Sequence, residues 1–583
     1  MKKNINNKIL IALNIILVGN LILVACKKEF LQIQPTGQLT EEVLSSKKGL
    51  EGLLIGAYSM LGGRGNYFGG ASNWTNGSIQ GGDANKGTNA GDFNDINPIQ
   101  RFETTPTSRV VSDRWGPLYE GISRCNSTLR ILAISTDATL TDADKKRISG
   151  EARFLRGHYY FELKKSYNNV PYVDETLSSD EAVKVANTAD IWSNIEADFQ
   201  YAFDNLPETQ GAAGRANKWA AAAYLGKTYL YQKKYQDAKN MFNQVISSGK
   251  TASGAAYGLM DNYAQLFNAE FDNNKESIFA VQAATNTGST NNANPDFVLN
   301  FPYNTGPAGP GNCCGFFQPS FELVNSFRTD ANGLPLLDGS YNNAANEVKT
   351  DQGILSSAAF TPDAGNLDPR LDHSVGRRGI SYLDWGPFPG YDWIRDQAYA
   401  GPYAPKKYIY YKSQEGTLTD GSSWTRGYGA MNYVIIRFAD VLLMQAECEI
   451  ELNNLEAARA LVNQVRNRAA NSATWVKDAS GNNAANYVIG LYNTPWTSAD
   501  AARSAVRFER KLELSGEGHR FFDLVRWGIA DATLDAYLAY EGGKLPVALG
   551  GSSFTANKNE YYPIPQTQID RQGADVLHQN PGY

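Results

Sequence analysis

Between Trp219 and Lys250 the residues fall on two helical stripes, Leu225, Gly226 and Tyr229 on the first and Tyr235, Ala238, Phe242 and Val245 on the second, with a turn at Gln232 to Lys234. That order of large, small and aromatic residues matches the tetratricopeptide pattern of about 34 residues, in which a small residue lets two antiparallel helices approach closely. Gly226 takes the close-contact position. A second match runs from Arg437 to Ala470, with Leu442, Ala446, Leu455, Ala458, Val462 and Val465 facing inward and Asn453-Asn454 at the turn. Two looser helix pairs involve Trp115 to Leu132 with Lys146 to Tyr167, and Ile191 to Leu206 leading into the first repeat. Repeats that bury their faces only against neighbours must stack. The chain is therefore predicted to be mainly α, with four helix pairs as scaffold over about residues 112–250 and 432–470.

Between these blocks lie segments rich in Gly, Asn, Ser, Pro and aromatics, at about 61–111, 251–430 and 471–497. Turn signals such as Gly62-Gly63, Asn76-Gly77, Gly306-Pro307 and Pro389-Gly390 punctuate them. Loops this long are uncommon in compact domains unless they carry function or are disordered. Their many Trp, Tyr and Phe residues argue against disorder. Stripe aromatics such as Tyr229 and Phe242 are core at helical spacing, as are Trp115, Trp192, Trp219 and Trp527 in the helical blocks.

The N-terminus is an address. Lys2, Lys3 and Lys8 precede an apolar run that ends in Leu23-Val24-Ala25-Cys26, the layout of a secretory signal (residues 1–25) with a bacterial lipobox. Ile9 to Ala25 is 17 residues and contains Asn14 and Asn20, short of the roughly 20 apolar residues of a comfortable membrane span. Cys26 is the expected site of lipid attachment and the first mature residue. Losing residues 1–25 removes three Lys and no acid, so the formal charge moves from -6 to -9. Nothing in that balance suggests nucleic acid. Cys125, Cys313, Cys314 and Cys448 make no disulfide framework. His158, His373, His519 and His578 are scattered without metal-ligand spacing, so neither a metal nor a cofactor is expected.

Near the C-terminus Arg507-Phe508-Glu509-Arg510 leads to Glu513-Leu514 and then to the run Glu517-Gly518-His519-Arg520-Phe521-Phe522-Asp523-Leu524-Val525-Arg526-Trp527. This resembles the signature of the SusD/RagB family of nutrient-binding outer-membrane lipoproteins. Tyr562-Pro563-Ile564-Pro565 with Ile569 and the ending Gln579-Asn580-Pro581-Gly582-Tyr583 are similar to the family's closing segment, within a C-terminal motif region of about 503–583. Further matches are Glu151-Ala152-Arg153-Phe154-Leu155-Arg156, Asp368-Pro369-Arg370-Leu371 and Ile436-Arg437-Phe438-Ala439-Asp440. They span residues 26–583 as one domain. The resemblance implies a non-catalytic lid on a SusC-like TonB-dependent barrel, lipid-anchored on the outer face of the outer membrane, that captures oligosaccharides, or alternatively peptides, and releases them into the barrel. It also implies that the helical side faces the barrel.

Glu509, Glu513 and Glu517 recur every four residues beside Arg507, Arg510, Arg520 and Arg526, so charge-assisted pairs across helix ends are available. A secreted glycoside hydrolase would use the same carboxylates, Glu513 with Glu517 or Asp523, but would need them in an open cleft. Interleaved Arg and apolar residues point to burial instead.

Sugar rings are recognised by aromatic platforms and a few polar side chains. The stretches that correspond to the aromatic arc of starch-binding members are Gly81 to Phe93 and Asn300 to Phe317. The first lacks a Trp, which disfavours starch. Expected ligand residues are Trp74, Asp83, Asn85, Tyr303, Phe316, Phe317, Trp385, Tyr391 and Trp393, with Tyr382, Phe388 and Trp424 as further loop aromatics. Each of these rings is either a platform or a satellite core beneath a loop. Adjacent Cys313 and Cys314 close a ring only through an unusual peptide geometry, and strained bridges are readily reduced, which favours two thiols.

Overall fold

Eight helices run in a single row in the computed structural model, each packed on the one before it. They are α1 (Lys47–Tyr58), α2 (Arg109–Ile134), α3 (Asp142–Tyr167), α4 (Trp192–Asn205), α5 (Lys218–Tyr231), α6 (Tyr235–Ser248), α7 (Phe438–Glu451) and α8 (Leu455–Ala469). The structure describes residues 40–583 apart from 66, 290–292, 295 and 423–424, so the signal, Cys26 and Trp424 lie outside the described residues. None of the described helices is long and apolar enough to cross a membrane.

Local chemistry sets the helix ends. Thr141 and Asp144 form a reciprocal capping box at the start of α3, and the Asn217 side chain accepts from Ala220 N at 2.9 Å to open α5. At the turn between α5 and α6, Lys233 takes a positive φ of 60°. Gly226 does what the repeat pattern requires of it: a Cβ there would stand 2.6 Å from the Phe242 ring, so any larger residue would push α5 and α6 apart. The row begins earlier than the periodicity suggested. Lys47–Tyr58 packs on both α2 and α3, and with it the helices pair as α1/α2, α3/α4, α5/α6 and α7/α8.

Strand is sparse and short. β1 (Ala84–Gly87), β2 (Ser277–Val281), β3 (Phe316–Pro319) and β4 (Tyr433–Arg437) form two antiparallel ladders, β1 with β3 and β2 with β4. β4 runs directly into α7, so the β2–β4 ladder ties the irregular half to the helix row. After the row come α9 (Ala499–Glu513), which packs on α7 and α8, then α10 (Arg520–Arg526) and α11 (Ala530–Lys544).

The glutamates of the C-terminal motif pair with bases from other segments and not with the motif's own arginines. Glu513 is held by Arg370 at 3.0 Å, by Arg437 at 2.5 Å and by Arg468. Glu509 takes Arg370 at 2.6 Å and Arg466 at 2.8 Å, and Glu517 takes Arg437 at 2.8 Å and Lys407 at 2.7 Å. Glu276, just before β2, joins through Arg437 at 2.9 Å, and Asp368 closes on Arg370 at 2.7 Å. None of these side chains is more than 4% exposed. The partners come from distant segments because helix neighbours on α9 point along the helix, whereas a buried carboxylate needs donors from several sides. Arg510 and Arg526 turn the other way, meeting at Asp523 at 2.9 and 2.8 Å, with Asp440 2.7 Å from Arg510 and Glu447 2.6 Å from Arg526. No cleft reaches Glu513 or Glu517, which are 0% and 1% exposed. An acid–base pair for glycoside hydrolysis is therefore absent from this motif.

Glu513→Ala leaves three guanidinium groups short of a partner and should cost about 3–5 kcal/mol, read as a lower denaturant midpoint. Burial would raise the Glu513 carboxyl, but Arg468, Arg437 and Arg370 hold it below its ordinary 4.5. A depressed carboxyl contributes stability that is complete above its unfolded value and is lost as pH falls beneath it. The melting temperature should thus drop below about pH 4.5, and drop less steeply in Glu513→Gln. Equal slopes for the two proteins would contradict this.

Candidate functional site

The three segments singled out by their aromatics do converge. β1 lies against β3 in the register Asn85↔Gln318 and Gly87↔Phe316. Tyr303 N donates to Trp393 O at 3.0 Å. Trp74 meets Phe316 and Phe317 edge-on at 6.5 and 5.7 Å.

Most of the expected ligand side chains lie beneath that surface. Trp74, Phe316 and Phe317 are packed in the main core, and Trp385 and Trp393 belong with Tyr382 and Phe388 to a separate aromatic cluster. The rings are buried because the loops fold back over them, which makes them satellite core in place of platforms. Asp83 and Asn85 are interior braces. Asp83 accepts from Gly516 N at 2.9 Å, and burial pushes its carboxyl up to about 6 against the pull of that bond. Asn85 donates to Glu541 of α11 at 2.8 Å and accepts from Tyr537 OH at 3.2 Å.

The solvent edge is formed a few residues further along each segment. After β1 the chain turns at Thr88, whose φ is 53°, and the following loop is pinned from inside by Lys86, whose Nζ donates to Asp92 O at 2.8 Å. Tyr303 is half-buried, and the Arg395 guanidinium lies 4.9 Å from its ring centroid. Arg395 also donates to Thr88 Oγ1 at 2.9 Å and pairs with Asp92, while Thr88 Oγ1 donates to Asp92 at 3.0 Å. Arg395 and Asp92 are 28% and 33% exposed, enough to offer their free donors and acceptors to a ligand. Asn304 and Asn312 are exposed beside Tyr303, and Tyr391 is 40% exposed on the Arg395 segment. Gly315 takes a φ of 77°, a left-handed backbone that glycine adopts without strain, where the chain passes Tyr303.

The loop that carries Tyr303 is clamped. Asn304 N donates to Asn312 O at 3.1 Å, Gly306 N to Asn312 Oδ1 at 2.8 Å, and Arg426 Nε to Gly311 O at 2.8 Å. Cys313 and Cys314 are joined as a disulfide across a cis peptide at the end of this loop, with Cys313 half-buried, whereas two thiols were expected. Cys125 and Cys448 are free and buried.

Of the expected residues, Tyr303 and Tyr391 thus stand at the surface. Asp92, Asn304, Asn312 and Arg395 were missed as individuals, although Asp92 falls inside the Gly81 to Phe93 stretch and Asn304 and Asn312 inside Asn300 to Phe317; Thr88 is buried and braces Arg395 and Asp92. Aromatic weighting hid them. Chemically the surface offers an aromatic ring edged by a guanidinium, a carboxylate and amides, a set that stacks on an apolar ring face and bonds hydroxyls. No group of three or more His, Cys, Asp or Glu fit to hold a metal occurs among the described residues.

A SusD family model matches residues 275–583, and a second, described as starch-binding and associating with the outer membrane, matches residues 29–230. A SusD-like protein of Formosa agariphila, P25, is 29% identical over 72% of this chain and 70% of its own length. The starch-binding protein SusD of Bacteroides thetaiotaomicron is 24% identical over 76% of this chain and 74% of its own. Among solved structures, a laminarin-binding SusD-like protein superposes with a TM-score of 0.64 at 25% identity, covering 92% of this chain and 100% of that one. A SusD superfamily protein of Bacteroides vulgatus gives a TM-score of 0.66 at 22% identity, covering 92% and 99%. The helix row and the matched C-terminal half together place the chain in the SusD family.

Proposed function

We propose that this chain is a non-catalytic glycan-binding lipoprotein of the outer membrane, anchored through Cys26, that captures oligosaccharides at the Tyr303 edge and passes them to a SusC-like TonB-dependent barrel. The observation that carries the glycan reading is the half-buried Tyr303 ring beside Arg395 and Asp92, exposed above rings that are themselves core. Glycan capture is supported by the relatives described as laminarin- and starch-binding. Outer-membrane association is supported by the description of the family model over residues 29–230. The barrel partner rests on the family analogy.

The reading is tested by calorimetry with laminarihexaose, maltohexaose and a peptide pool. A glycan should bind without release of reducing sugar, and Tyr303→Ala should weaken it about 2- to 10-fold, the scale of one aromatic contact. Tyr391→Ala should have the smaller effect, since among the described residues no cation lies over its ring as Arg395 lies over Tyr303. Binding of peptides alone, or unchanged affinity in folded Tyr303→Ala and Arg395→Ala, would overturn the placement. For the anchor, Cys26→Ala should abolish incorporation of labelled fatty acid, because the lipobox directs acylation to that cysteine. Label retained in that variant would exclude Cys26.

A further inference from the structure

Away from the Tyr303 edge, a cavity of about 210 Å³ opens where the short helix Arg370–Ser374, the bend at 381–387, the Lys406–Tyr411 segment and residues 474–477 meet. It is smaller than the roughly 300–1,000 Å³ of pockets for drug-sized ligands, so it has room for one ring. Two half-buried aromatics, Trp475 and Tyr411, form part of its wall. The indole Nε1 of Trp475 already donates to Ala469 O at 2.9 Å, so what Trp475 has left to offer is its ring surface.

The polar lining is cationic and short of carboxylates. Lys406 is 3% exposed and spends two of its three N–H donors on main-chain oxygens, those of Asp372 and of Ser381, the latter at 2.8 Å. The nearby Asp372 carboxylate is committed elsewhere, to Arg377 at 2.6 and 2.8 Å and to Tyr487 OH at 2.6 Å. Burial pulls Lys406 down to about 8, which leaves it charged at neutral pH. Lys477 donates to Ser472 O at 3.3 Å and Asn483 Oδ1 at 2.6 Å, and likewise keeps one donor. Neither lysine has an acidic side chain within ion-pair distance among the described residues. Both therefore carry a charge that a ligand anion can complete.

Leu383, which also lines the cavity, has a φ of 52°, a left-handed backbone that bulky residues rarely adopt. It is held there on either side. Tyr382 is buried in the aromatic cluster, and Asp384 accepts from Lys412 N at 2.5 Å and Ser413 N at 2.9 Å. Strain kept in this way is typical of a shaped site.

We infer that this cavity is a second saccharide subsite, distinct from the Tyr303 edge, that takes a single sugar residue bearing a carboxylate, its ring against Trp475 and Tyr411 and its anion between Lys406 and Lys477. The inference stands on its own residues and does not need the Tyr303 placement.

Saturation-transfer NMR on the full-length protein in detergent, with D-glucuronate, D-glucose and acetate as probes, tests it. Glucuronate should bind with a Kd on the order of 1 mM, as expected for a ligand of that size. Glucose and acetate should each be weaker by about tenfold or more, since each lacks one of the two contacts. Trp475→Ala and Lys477→Ala, both at accessible positions, should each weaken glucuronate by about tenfold, while Tyr303→Ala should leave it unchanged. Lys406→Met should abolish it if the variant folds, and the two accessible variants decide the matter if it does not. Glucose binding as well as glucuronate, glucuronate binding indifferent to Trp475→Ala and Lys477→Ala, or no glucuronate signal would each overturn the inference.

Discussion

Ten charges buried around Glu513 hold the two halves of this molecule together. Arg437 ends β4 and starts α7, Arg466 and Arg468 belong to α8, and Glu509 and Glu513 to α9, while Arg370, Lys407 and Glu276 come from the irregular half. Burying an ion is costly, and the cost is offset only when every member finds its partners with good geometry. Five acids and five bases are paired here, with Arg468 Nε left short of a partner, and removing one member would strand several. The node therefore acts as a constraint on register. If α9 shifted by a turn, Glu509 and Glu513 would exchange partners with the wrong residues.

That constraint explains why irregular chain can present a fixed surface. The segments around Thr88, Tyr303 and Arg395 have little secondary structure, yet each is tied to something rigid. Asn85 bonds to α11, Asp83 to the turn after α9, and Lys86 to the loop that bears Asp92. The rings beneath, Trp74 with Phe316 and Phe317, pack edge-on and fill the space between strands and helices. A polar edge on such a base binds with less ordering cost than a mobile loop would.

The helices and the node were readable in the sequence to different degrees. The stripes from Trp219 to Lys250 gave α5 and α6 with their turn, because helical burial is periodic and local. Lys47–Tyr58 carries a weaker signal, since its stripe, Leu50, Leu54 and Ala57, is narrow and small. The charged motifs signalled importance, but their partners lie far away in the chain and no local rule pairs Glu513 with Arg370 or Arg437. The proposed ligand surface was the least legible. Aromatic residues in Gly-rich segments looked like platforms, and whether a ring ends up exposed depends on which other loop covers it. Trp74 and Trp393 are covered and Tyr391 is not. Arg395 and Asp92 carry no pattern at all. Only the fold brings them to Tyr303.

Hydrogen exchange with and without saturating glycan tests the central claim most directly, namely that recognition takes place on the outer edge of a buried aromatic base. New protection should appear in residues 88–92, 303–313 and 391–395, with residues 74–79 already protected before ligand is added and unchanged by it. Protection that arises along α5 to α8, or at 74–79 alone, would contradict it.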